Sequence, residues 1–92
     1  MRVENMKSPR GNTVPNQFII TTSRGRLFQS YNSPIAFMSY DGTVTLSNDW
    51  DYSHTTSKYR NIFLGETTDD TRKKIETGEY RMNLEELLRC YS

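Results

Sequence analysis

Ile35-Ala36-Phe37-Met38-Ser39-Tyr40-Asp41-Gly42-Thr43-Val44-Thr45-Leu46-Ser47 is the stretch on which the fold turns. Two runs rich in β-branched and aromatic residues flank Asp41-Gly42, a dipeptide suited to a two-residue type I′ hairpin because both positions need positive φ. That turn sets Phe37 opposite Leu46 and Ser39 opposite Val44. Ile35, Phe37, Val44 and Leu46 then share one face, and Met38, Tyr40, Thr43 and Thr45 the other. One apolar and one mixed face predict an antiparallel sheet covered on one side.

Upstream, Gln17 to Thr22 reads as a strand and Leu27 to Tyr31 as its partner across Arg24-Gly25. A two-residue turn there pairs Thr22 with Leu27, Ile20 with Gln29 and Phe18 with Tyr31. Asn32-Ser33-Pro34 ends the second run. Residues 1–15 show no period of 2 or 3.6 and carry Pro9 and Pro15, so they read as a flexible N-terminal arm.

Downstream the period changes. Ser53, Thr55 or Thr56 caps a helix carrying Tyr59, Ile62 and Phe63 and stopping at Gly65. Thr67 or Thr68 caps a second helix, with Asp69 and Asp70 in its first turn, Lys73 and Lys74 beyond, and Gly78 at its end. Tyr80 to Met82 reads as a short extended link or another strand. Asn83 with Glu86 starts a third helix with the stripe Leu84, Leu87, Leu88, Tyr91. Strands followed by helices predict an α+β domain over residues 16–92. Its expected form is a four-stranded antiparallel β-meander followed by two or three short helices packed on one face.

Ninety-two residues make at most one domain, and an apolar share of 34% leaves little room for a deep cavity. Twelve bases against eleven acids give a net charge of +1, which excludes an acidic nucleic-acid mimic. The charge is uneven: residues 1–40 hold five bases and one acid, while residues 41–92 hold seven bases and ten acids. No apolar run is long enough for a membrane span, and no apolar stretch follows the basic N-terminus as a secretory signal requires. A single cysteine, Cys90, fits a reducing compartment, and one Cys with one His makes a zinc site improbable.

Candidate chemistry is sparse, and no enzyme or cofactor is expected. His54 has no nucleophile and orienting group to complete a catalytic set. Cys90 falls in the last turn of a helix, where the dipole raises a thiol pKa rather than activating it. Asp41, Asn48, Asp49 and Asp51 lack the glycine and glutamate of a calcium loop. The densest constellation is Trp50 to Arg60, with the only Trp, two Tyr, hydroxyls and two bases. From it Trp50, Asp51, Tyr52, Ser53, Thr55, Thr56, Lys58 and Arg60 are the expected partner-binding residues, since aromatic rings anchor interfaces and Lys and Arg take carboxylate or phosphate. If Tyr59, Ile62 and Phe63 face the core, Lys58 and Arg60 point outward. The structural alternative places Trp50 and Tyr59 in the core.

The runs Asn16-Gln17-Phe18-Ile19-Ile20 and Phe28-Gln29-Ser30-Tyr31-Asn32-Ser33, then Trp50-Asp51-Tyr52-Ser53, Thr55-Thr56, Lys58-Tyr59-Arg60 and Phe63-Leu64-Gly65-Glu66, resemble a family of small tailed-bacteriophage and prophage proteins of unknown function. Lys74-Ile75 and Gly78-Glu79-Tyr80 extend the resemblance over residues 16–82. It implies phage origin and expression in the bacterial host cytoplasm, and no reaction. The expected function is a non-enzymatic accessory protein that binds a host protein or protein–nucleic-acid complex, such as an anti-CRISPR-like inhibitor of a defence system. The alternative is a small nucleic-acid-binding protein using Met38, Tyr40, Thr43, Thr45 and the bases of residues 1–26. A virion or packaging component is a third option.

Overall fold

The computed structural model describes residues 1–89, without the side chains of Leu84, Glu86 and Arg89. The Cys90 and Tyr91 expectations therefore lie outside the described residues. Among the described residues nine elements follow in order: β1 (Arg2–Lys7), β2 (Thr13–Thr21), β3 (Gly25–Ser30), β4 (Ser33–Ser39), β5 (Val44–Leu46), α1 (His54–Leu64), α2 (Thr68–Glu76), β6 (Arg81–Met82) and α3 (Leu84–Arg89). The class is α+β as expected, but the sheet has six strands in the order β1 to β6. Neighbours are antiparallel except β5 and β6, which run parallel because α1 and α2 carry the chain back across the sheet.

The two extra strands lie at the sheet's edges. Residues 2–7 are not an unstructured arm but pair with β2, with Arg2 opposite Thr21 and Asn5 opposite Phe18. Their sequence lacks an alternating pattern because only Met6 is buried. A three-residue loop, Pro9-Arg10-Gly11, joins β1 to β2. The Ser8 N–H donates to Asn12 O and the Gly11 N–H to Ser8 O, both at 2.8 Å, and Gly11 takes φ 83°.

The Asp41-Gly42 hairpin has the same form. The Ser39 N–H donates to Thr43 O at 2.9 Å and the Gly42 N–H to Ser39 O at 3.0 Å. Only Gly42 has positive φ, at 91°, so the loop is Tyr40-Asp41-Gly42 and not type I′. One extra loop residue moves the register by one: Ala36 faces Leu46, Phe37 faces Thr45 and Met38 faces Val44. Such a slip exchanges faces. The β2–β3 turn sits one residue earlier than expected: the Thr22 N–H donates to Gly25 O at 2.8 Å across Ser23-Arg24, so the register moves by two and Ile20 faces Leu27 and Phe18 faces Gln29.

Both faces of the sheet are covered, and the expectation of helices on one face is corrected. On one face Met6, Phe28, Ile35, Ala36, Val44 and Leu46 pack with Tyr59 and Phe63 of α1 and with Tyr80. The Phe28 and Phe63 rings stack with centroids 5.9 Å apart. Ile35 and Ala36 both join this cluster because the β3–β4 register shifts between Phe28 and Gln29, leaving Ile35 as a bulge. On the other face Ile20, Leu27 and Phe37 pack with Leu87 of α3, while Leu88 is exposed.

Candidate functional site

The site begins at the cap of α1. Ser53 adopts an extended backbone, and its Oγ accepts the Thr56 N–H at 3.1 Å. The Ser53 hydroxyl also donates to Thr56 Oγ1 at 3.0 Å. Thr56 is fully buried and shares a 2.9 Å hydrogen bond with Ser30 at the end of β3. The helix start is thereby fastened to the sheet. Gly65 at φ 72° ends the helix and donates its N–H to Asn61 O.

The buried stripe of α1 is Thr56, Tyr59, Arg60 and Phe63, a helical spacing that runs through two polar residues. Arg60 is therefore buried and not outward-facing, and Ile62 is 46% exposed. The Arg60 guanidinium donates to the Trp50 carbonyl, to Thr68 Oγ1 at 2.8 Å and to Asn61 Oδ1 at 2.9 Å, with a longer contact to Ser57 Oγ. It lies 4.9 Å from the centroid of the Trp50 ring, with Arg72 at 5.5 Å. Burial pushes the Arg60 pKa down, against the pull of Asp51 and Glu66 in the opposite direction. Arg60 thus joins the loop before α1 to the start of α2.

The expected binding residues divide. Trp50, Ser53, Thr56 and Arg60 belong to this frame. Asp51, Tyr52, Thr55 and Lys58 are exposed, joined by His54. Asp51 pairs with Arg72 at 3.4 Å, and the Lys58 ammonium lies 5.5 Å from the Tyr59 ring centroid. Sequence reading missed the outward stripe His54, Lys58, Ile62, whose i, i+4 spacing was visible. A groove of about 440 Å³ runs beside it, lined also by Pro9, Ser57 and Thr68. On the other side of Ile62 a second groove, of about 360 Å³, is lined by Met6, Lys7, Ile19 and Arg26.

A second polar cluster escaped the sequence reading. Glu66, its side chain 7% exposed, accepts from the Lys74 ammonium at 2.9 Å, the Tyr80 hydroxyl at 2.6 Å and the Thr71 hydroxyl. Burial alone would raise the Glu66 pKa, but these hydrogen bonds outweigh it and hold the carboxyl below its ordinary range. Burial and the Glu66 carboxylate push Tyr80 up to about 12. Through Glu66 the cluster ties α2, by Thr71 and Lys74, and the link before β6, by Tyr80, to the chain just after α1. Among the described residues no three His, Cys, Asp or Glu side chains are grouped to hold a metal, and no helix is long and apolar enough to cross a membrane.

Comparison with curated proteins and with solved structures gave no match. A protein-family profile described as a family of unknown function (DUF8033) matches residues 1–79, which take in β1 to α2 and both grooves. By that coverage the chain belongs to the DUF8033 family.

Proposed function

We propose that this chain is a non-enzymatic accessory protein of phage origin that binds a host protein and modulates it, as an inhibitor of a bacterial defence system would. The observation that carries the reading is the arrangement of residues 50–62. Asp51, Tyr52, Thr55, Lys58 and Ile62 stand exposed on a segment whose backbone is fixed from below by Arg60 and Thr56. An exposed aromatic ring, an aliphatic side chain and a cation on a rigid support form the kind of patch that anchors protein partners. The hydroxyls and backbone of the same segment are mostly engaged in capping and support rather than in activating a nucleophile.

Direct nucleic-acid binding is less well supported. The surface expected for it is divided by the register, with Thr45 buried on the face opposite Met38. The test is affinity capture from a bacterial host lysate with the parent and a Tyr52→Ala, Lys58→Glu variant. The expected result is one host protein retained by the parent, insensitive to nuclease, and lost from the folded variant. Retention of nucleic acid with affinity falling steeply in salt would overturn the protein-directed reading.

A further inference from the structure

At the far side of the sheet β1 pairs with β2, and its outer edge has no strand partner among the described residues. An open edge is a row of backbone donors and acceptors ready for another strand. Beside it lies the groove of about 360 Å³. Its apolar lining is Met6, Ile19 and Ile62, and its bases are Lys7 and Arg26. Met6 and Phe28 share a cluster with Phe63 of α1, so the groove opens on the α1 face of the sheet. A strand laid against β1 would sit about 4.8 Å outside it and present every second side chain to that face.

Charge selects the occupant. Glu4 is the one acid lining the groove, and Arg2 pairs with it at 2.8 Å. Lys7 and Arg26 have no carboxylate partner among the described residues: Lys7 donates to Thr13, and Arg26 lies 5.5 Å from the Phe63 ring centroid. A second copy of the chain fits poorly. The antiparallel register that pairs all of β1 with itself sets Arg2 opposite Lys7 of the other copy, twice, and like charges directly opposed are destabilising.

We infer that the β1 edge is a docking site for an extended acidic segment of a partner protein, which adds as a strand and places one aliphatic side chain in the Met6–Ile19–Ile62 groove. Main-chain hydrogen bonds supply affinity, the groove selects the aliphatic residue, and Lys7 and Arg26 select its acidic neighbours. The inference rests on the reading that the chain acts by binding protein, but its test uses no host partner, so the two can fail separately.

The probe is a short blocked peptide in which glutamate, leucine and glutamate alternate with threonines. It is titrated into the isotope-labelled full chain while amide shifts and amide exchange are followed by NMR. The expected result is saturable shifts along β1 and around Ile62, with slowed exchange of outward β1 amides. A Lys7→Glu, Arg26→Glu variant, both sites being exposed, should weaken binding on the order of tenfold or more. A peptide with proline in place of the central leucine should not bind, because it lacks both the side chain and a ladder donor. Shifts confined to other surfaces, equal binding of the proline peptide, or no binding at millimolar peptide would overturn the inference. So would a concentration-dependent dimer with β1 protected in the absence of peptide, since the edge would then belong to a second copy.

Discussion

Replacing Arg60 by alanine separates a frame arginine from a contact arginine. The side chain is fully buried and donates to the Trp50 carbonyl, Thr68, Asn61 and Ser57. Truncation leaves at least the Trp50 carbonyl and the Thr68 hydroxyl without this donor, at about 1–3 kcal/mol for each group that stays buried and unpaired. Loss of the guanidinium from the Trp50 ring adds about 0.5–2 kcal/mol. Against this, Arg60 Nε is itself buried without a partner, and releasing the charge recovers part of its desolvation cost. The net expectation is about 3 kcal/mol. For a domain of this size that lowers Tm by roughly 12–24 °C. Thermal unfolding followed by circular dichroism reads it directly, with Lys58→Ala as an exposed control expected to change stability by less than about 0.5 kcal/mol. If Arg60→Ala melts within two degrees or so of the parent, on a scale where about 1 kcal/mol moves Tm by 4–8 °C, the frame assignment is wrong.

Met6→Ala should cost about 2–3 kcal/mol in urea unfolding, because Met6 is 5% exposed within the main cluster; an unchanged midpoint would return residues 1–7 to a dispensable arm. Gly25→Ala should be among the most damaging single changes, since a Cβ there would lie 2.3 Å from the Met38 carbonyl oxygen, and a soluble variant with parental Tm would contradict the close β3–β4 approach. The Glu66 carboxyl is held below its unfolded value, so it contributes stability above the ordinary glutamate range near about pH 4 and loses it as pH falls through the lower folded value. Glu66→Gln should therefore flatten the acid limb of the stability curve, and a parental acid limb in that variant would assign the acid sensitivity to other carboxyls.

The helices were legible because their signals are local. The Ser53 cap, the Gly65 stop, and the Thr67 cap with Asp69 and Asp70 in the first turn stand where the residues indicate. Strand existence was also legible from Gln17–Thr22 and Ile35–Tyr40. Register was not, because Asp41-Gly42 serves a two-residue and a three-residue loop equally, and one residue exchanges every face. β1 was invisible for a related reason: an edge strand that buries one residue of six leaves no period to read. Within the candidate site, the spacing Thr56-Tyr59-Arg60-Phe63 marked the buried stripe, but hydropathy favoured Ile62 over Arg60. What decided the matter was tertiary: the Trp50 carbonyl, Asn61 and Thr68 supply acceptors for a buried guanidinium, whereas Ile62 has grooves on either side.

The proposed recognition surface, residues 51–58, stands on a frame held by Arg60. Its most direct measurement is the affinity of the captured host protein for the Tyr52→Ala, Lys58→Glu variant, by calorimetry, with folding checked by thermal unfolding. The expected result is parental Tm with affinity lowered on the order of a hundredfold, as for an aromatic and a cation near the centre of an interface. Parental affinity in a folded variant would contradict it and place the recognition surface elsewhere.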